Sequence, residues 1–190
     1  MFSRRTLLSA VALSLAGFGL SAQAATQTLV PTQSEVTFVT KQMGVPLQGR
    51  FKRFQAQVAF DPKALATSRI GFELDLGSVA LNADADAELP KAEWFNLPKF
   101  PKATFQSTGI KAVAGGQFQV SGKLAIKGQT RDVVVPVTVT QAKGLSTATG
   151  AFTIKRLDFR IGEGDWADTS IVANDVQVQF KLVLQGMPAL

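Results

Sequence analysis

Two groups of acidic residues have side chains whose type and spacing could do chemistry. Asp84, Asp86 and Glu88 lie two residues apart, which is superficially the spacing of a calcium-binding loop. Such a loop needs a glycine at its sixth position and a glutamate at its twelfth, where this chain has Leu89 and Phe95. Acids at this spacing are more typical of a first helical turn, where the helix dipole favours negative charge. We therefore predict no metal site.

The second acidic group, Glu163, Asp165 and Asp168 around Trp166, could supply the two carboxylates of a glycosidase-type acid–base pair. No neighbouring residue gives a reason for a raised pKa, and acids in a Gly-rich turn are usually exposed. The chain has no histidine and no cysteine, which excludes Ser-His triads, thiol chemistry, disulfides and His-ligated metals. We predict no catalytic residues and no enzyme. A hydrolase joining Glu163 or Asp165 to a second acid is the enzymatic alternative.

The N-terminal residues have the layout of a cleavable export signal. Arg4 and Arg5 precede an apolar run over residues 7–20, and Ala22 and Ala24 flank Gln23. A run of about 14 residues is shorter than the roughly 20 that span a bilayer. We predict cleavage after Ala24 and a periplasmic protein, with the Sec and twin-arginine routes both open.

The basic balance of the chain does not indicate a nucleic-acid partner. The formal net charge is +6, but the lysines and arginines are scattered among strand-like segments. A protein that follows a phosphate backbone collects them in an arm or along one face.

Alternation of apolar and polar residues runs through nearly the whole chain after Thr26, and it is the pattern of strands with one buried face. Glycine-containing breaks such as Gly128 and Gly144 indicate antiparallel hairpins. Seven or eight such strands form a sandwich or close into a barrel, and closure removes exposed edges. We predict an all-β antiparallel eight-stranded barrel with one or two short helices, over residues 62–66 and 82–91, in one domain covering residues 25–190.

The interior of this barrel should be a hydrocarbon surface, because the chain has 14 phenylalanines and no tyrosine. The predicted lumen residues on the inward parity are Phe38, Phe54, Phe72, Leu74, Phe118, Leu124, Ile126, Val135, Phe152, Val178 and Phe180. Residues 91–105 combine two prolines with four aromatics, so they are neither a plain strand nor a plain helix. They are a core-packing connection or the barrel mouth, where we place Trp94, Phe95 and Phe100.

Five segments, in chain order, resemble the YceI-like family of bacterial periplasmic proteins. They are SEVTFVTKQMGVPLQGRFKRF at 34–54, WFNLPKFPKATFQS at 94–107, VSGKLAIKGQTRDVVVPV at 120–137, RLDFRIG at 156–162 and ANDVQVQFKLVL at 173–184. The resemblance implies an extended, lipocalin-like barrel that carries a long polyisoprenoid chain, or an isoprenoid quinone, and requires no cofactor. Many members have an Arg-Asp pair where this chain has Asp84 to Leu89, which bears on the head group that the rim accepts.

The resemblance implies a carrier whose partner is an apolar lipid. The alternative is a non-enzymatic partner module of a membrane redox or stress-response system, with a barrel filled by its own side chains. Transient contact with the membrane or with a membrane redox protein, and a homodimer, are left open. The volume of the cavity distinguishes the carrier from the partner module.

Overall fold

The computed structural model describes residues 25–190, so the predicted export signal at residues 1–24 lies outside the described residues. The described chain is almost entirely β-structure. Its strands are β1 (Thr28–Leu29), β2 (Glu35–Gln42), β3 (Val45–Phe51), β4 (Phe54–Ala59), β5 (Arg69–Asp75), β6 (Val79–Ala80), β7 (Lys102–Ala112), β8 (Gln117–Ile126), β9 (Gln129–Ala142), β10 (Leu145–Lys155) and β11 (Asp175–Gln185).

All strand pairs are antiparallel, and the strand order in the sheet is β4-β5-β7-β8-β9-β10-β11-β2-β3-β6, with β1 beside β11. The all-β antiparallel prediction is therefore confirmed, but the count of eight strands is wrong. The extra strands arise because extended segments are interrupted. A 3-10 turn at Pro31–Gln33 separates β1 from β2, and Lys52 and Arg53 separate β3 from β4.

The sheet curls, because one segment supplies strands near both ends of the strand order. Residues 45–59 form β3, which pairs with β2, and then β4, which pairs with β5. At the break, the amide of Lys52 donates to the Ser78 carbonyl at 3.1 Å. Farther along, Gln27 and Val58 form an isolated bridge that joins β4 to the start of β1.

Three hairpins have two-residue turns that match the right-handed twist of their strands. Met43-Gly44, Lys127-Gly128 and Lys143-Gly144 all have positive φ at both positions, from 47° to 81°. This is the geometry of a type I′ turn, which fixes the register of the flanking strands. The sequence breaks at Gly128 and Gly144 therefore mark tight hairpins.

Of the two predicted helices, one is present. Helix α1 spans Ala83–Glu88 and begins at Asn82, whose side chain accepts a hydrogen bond from the Ala85 amide at 2.9 Å. The prediction over residues 62–66 is wrong, because this segment forms hydrogen-bonded turns in which the Asp61 carboxylate accepts from the Lys63 amide. Between residues 25 and 190, no helix combines the length and the apolar character needed to cross a bilayer.

Candidate ligand cavity

A cavity of about 540 Å³ occupies the interior of the curled sheet. It lies between two clusters of buried apolar residues, one around Phe118 and the other around Phe159. Volumes of roughly 300–1,000 Å³ are typical of small-molecule sites. The interior is therefore not filled by its own side chains.

The structure brings ten of the eleven predicted lumen residues to this cavity. They are Phe38, Phe72, Leu74, Phe118, Leu124, Ile126, Val135, Phe152, Val178 and Phe180. The two-residue side-chain period of a strand selects them, because alternate residues on every strand face the same side. That they contact a ligand stays a prediction.

Phe54 is the predicted lumen residue that does not line the cavity. It follows the break at Lys52 and Arg53, and it borders a shallow groove with charged residues such as Glu73. Its ring stacks on Phe72 with the ring centroids 5.7 Å apart. Phe54 therefore has the inward parity of β4, opposite the lining residue Leu74, but it lies at the end of the strand and outside the cavity lining.

The closed end of the cavity is built from apolar side chains that lie on the strands or directly after them. Phe60 and Phe118 meet edge to face with ring centroids 5.0 Å apart, and Val139 and Leu184 are buried beside them. Met187, after the last strand, packs against this cluster. Burial of apolar surface is the main force that holds this end together.

The opposite end is organised around Arg156, which is only 2% exposed. Its guanidinium has five N–H donors, and each donates to a main-chain carbonyl. The acceptors are Ala173 at 3.1 Å, Ile161 at 2.8 Å, Gly162 at 3.0 Å, Trp166 at 2.7 Å and Val172 at 2.7 Å. Burial lowers the pKa of Arg156 from its ordinary value. The buried charge is thus solvated by peptide dipoles.

These five carbonyls belong to residues 156–174, which we call the end loop. The loop contains two short 3-10 helices, Arg156–Phe159 and Gly164–Ala167, and little other regular structure. Arg156 therefore supplies the internal hydrogen bonds that a strand pairing would otherwise give. The ring of Trp94 lies 5.9 Å from its guanidinium carbon and 5.4 Å from the ring of Trp166.

Lys127 ties the end loop to the aromatic segment at residues 91–105. Its side chain is 5% exposed, and its ammonium donates to the carbonyls of Glu93 at 3.2 Å and Arg160 at 2.6 Å. The same ammonium donates to the Glu163 carboxylate at 3.0 Å. The Glu93 carbonyl also accepts from the amides of Gly162 and Glu163.

Two acids of the end loop, Glu163 and Asp168, do not have the raised pKa of a general acid. Hydrogen bonds from Lys127 and Arg160 lower the pKa of Glu163 below its ordinary value. Hydrogen bonds from the Ser170 hydroxyl and amide likewise lower the pKa of Asp168. A general acid needs a raised pKa, so these carboxylates are better suited to holding the loop.

The cavity opens between the β2–β3 hairpin and α1. Most lining side chains are buried or half-buried, but Gln42, Asn82, Ala83 and Asp84 line the cavity and are exposed. We call this opening the mouth, and Glu88 also lines it. Its rim is thus polar, which the sequence patterns did not reveal.

The three aromatic residues predicted at the mouth are placed differently. Trp94 and Phe95 line the cavity, but they lie below the rim, and Phe95 is buried. Phe100 does not line the cavity; its ring packs against the turn at Gly128. The segment 91–105 therefore packs the core and supplies cavity walls, while the exposed lining residues of the mouth lie elsewhere.

A sequence model of the YceI-like domain matches residues 27–184. The chain belongs to the YceI-like family. Among curated relatives, a UPF0312 protein of Azotobacter vinelandii is 31% identical over 133 residues, covering 67% of this chain and 69% of the relative. Protein YceI of Salmonella arizonae is 36% identical over 90 residues, or 47% of each chain.

Solved structures share the fold. Burkholderia cenocepacia BcnA is 41% identical, with a TM-score of 0.79 over 82% of this chain and 99% of that one. A polyisoprenoid binding domain from Saccharophagus degradans is 18% identical, with a TM-score of 0.66 over 86% of this chain and 99% of that one. At that identity, the second likeness concerns the fold alone.

Proposed function

We propose that this protein is a non-enzymatic carrier that holds a long isoprenoid or isoprenoid-quinone chain inside a lipocalin-like barrel. The observation that carries the proposal is the cavity of about 540 Å³, whose walls are built mainly from aliphatic and phenylalanine side chains. A hydrocarbon chain in this space would lose contact with water along its length. Each buried methylene contributes about 0.8 kcal/mol, so several isoprene units outweigh the ordering costs of binding.

The name of the Saccharophagus degradans domain, which is called polyisoprenoid binding, agrees with this ligand class. We further propose that residues 1–24 are an export signal removed in the periplasm, and that residues 25–190 are the carrier domain. The partner module is the weaker candidate, because it assumes a barrel filled by its own side chains, and a cavity of about 540 Å³ does not fit that assumption. Contact with a membrane or a membrane redox protein, and a homodimer, stay predictions.

Extraction of the ligand tests the carrier. The full chain is expressed in a Gram-negative host, purified from the periplasm without detergent, and extracted with organic solvent. Because the ligand is deeply buried, release should be slow, and mass spectrometry should find one dominant isoprenoid at about one per chain. Intact mass of the same preparation should correspond to a chain that begins at Ala25.

Two neighbouring residues of β11 supply a matched pair of variants. Phe180 lines the cavity, whereas Gln179 lies on the opposite face of the strand. Phe180→Asp should abolish the extracted lipid, and Gln179→Asp should retain it. A wild-type extract without lipid, together with no change in melting temperature when polyprenol is added, would overturn the carrier and favour the partner module.

A further inference from the structure

The mouth carries negative charge and amide groups. Asp84 and Glu88 lie one helical turn apart on α1 and both line the cavity. Gln42, at the end of β2, and Asn82, at the start of the helix, also line the cavity. The third acid of the helix, Asp86, points elsewhere, because its carboxylate accepts from the Leu81 amide at 2.8 Å and does not line the cavity.

No cation among the lining residues is available to an anionic ligand. Arg156 is the basic residue among them, and all five of its N–H donors already bind main-chain carbonyls. Lys41 alternates to the outer face of β2, between Thr40 and Gln42, which line the cavity. Lys91 pairs with the Glu88 carboxylate but does not itself line the cavity.

We propose that the mouth selects ligands by the charge of their polar end, accepting an uncharged oxygen-bearing group and rejecting a phosphate. This inference rests on the proposed function and specifies its ligand class. A long chain in the cavity would place its polar end beside Asp84 and Glu88. A phosphate there meets the Asp84 carboxylate and the Glu88 carboxylate, which Lys91 pairs from outside the cavity, and no cation of the lining is left to bind it. A hydroxyl or carbonyl can instead hydrogen-bond to the amides of Gln42 and Asn82.

A competition between two ligands with the same chain tests the selection. The mature protein is unfolded in urea and refolded with an equal mixture of geranylgeraniol and geranylgeranyl phosphate. The protein-bound lipid is then extracted, and the amounts of the alcohol and the phosphate are quantified by mass spectrometry. We expect about tenfold more alcohol than phosphate, a ratio that corresponds to about 1.4 kcal/mol. The ratio should fall as salt rises from about 0.01 M to about 1 M, because the Debye length shortens from ~30 Å to ~3 Å.

Variants then assign the effect to the mouth. Asp84→Asn with Glu88→Gln should bring the ratio close to one, chiefly through greater phosphate binding. Asp84→Asn alone should give part of this change without releasing Lys91 from its ion pair. Glu35→Gln with Asp132→Asn makes the same change in net charge at exposed positions that do not line the cavity, and should leave the ratio unchanged.

Each outcome separates the inference from the proposed function. If neither lipid is retained, the carrier itself is wrong. If both are retained equally by the wild type, the carrier stands and the charge selection is wrong. An equal gain of both lipids in the mouth variant, or the same change in the remote control, would also overturn the selection.

Discussion

The two ends of the cavity are held by different forces. At the closed end, apolar side chains such as Phe60, Phe118 and Leu184 pack against one another. At the other end, an irregular loop surrounds one buried guanidinium and gives it five carbonyl oxygens. The first end depends on the volume and shape of its apolar side chains, whereas the second depends on the number and direction of the donors of a single side chain.

This difference determines how each end can fail. Loss of apolar contact weakens the closed end in proportion to the volume removed. Loss of Arg156 leaves several carbonyls of the end loop without a donor at once, and unsatisfied buried polar groups are costly.

The largest effect should come from a charge placed in the closed end. Phe118→Asp puts a carboxylate where the side chain is 6% exposed, which should destabilise the protein by about 5 kcal/mol near neutral pH. Burial raises the folded-state pKa of such a group, so the loss should shrink as pH falls toward about 4. Urea unfolding at several pH values measures it. Gln119→Asp, on the outer face, should be nearly silent, and the reverse result would mean that the register is inverted.

A smaller but still large effect is expected at the other end. Arg156→Met removes all five donors while keeping an apolar stem, and should cost about 3 kcal/mol of unfolding free energy. Arg156→Lys should recover only part of this, because lysine has three donors and no planar fork. Arg160→Met, at an exposed side chain, is the control and should change little. Similar losses for both methionine variants would contradict the proposed organisation of the end loop.

The smallest effect concerns the ion pair between the end loop and Lys127. Glu163→Gln should cost about 1 kcal/mol or less at pH 7, because the carboxylate is 37% exposed and partly screened. The folded pKa of Glu163 lies below its ordinary value of 4.5. Its contribution is therefore complete above that value and is lost as pH falls through the lower, folded pKa. The difference between wild type and variant should vanish in acid; a constant difference would exclude the ion pair as its cause.

The regular strands of the closed end are also the part of the structure that the sequence predicts best. Period-two alternation identifies ten residues that line the cavity, since alternate residues of a regular strand face the same side. It also selects Phe54, which shares the inward parity of the lining residue Val58 on β4 but lies at the start of that strand, beside the break at Lys52 and Arg53, and does not line the cavity. It gives eight strands because interrupted strands look continuous in sequence.

The alternation of apolar and polar residues predicts neither the end loop nor the mouth. Arg156 bonds to carbonyls, which every residue has, so no side-chain spacing signals its role. The residue patterns predict Asp84 and Glu88 only as helix-start residues, and the link between this stretch and the rim came from the family resemblance. The position of these carboxylates at the opening depends on how α1 meets the β2–β3 hairpin. The family resemblance contributed the ligand class, which neither composition nor periodicity contains.

The pairing of Trp94 with Trp166 makes the intrinsic fluorescence of this protein a local probe. These are the two tryptophans of the chain, there is no tyrosine, and their rings lie 5.4 Å apart beside the end loop. Emission excited near the red edge of protein absorption therefore reports from one wall of the cavity and from nowhere else in residues 25–190. A hydrocarbon chain that fills the cavity, or an end loop that loosens, would change the emission spectrum without any added label. Events at the closed end would leave the spectrum unchanged.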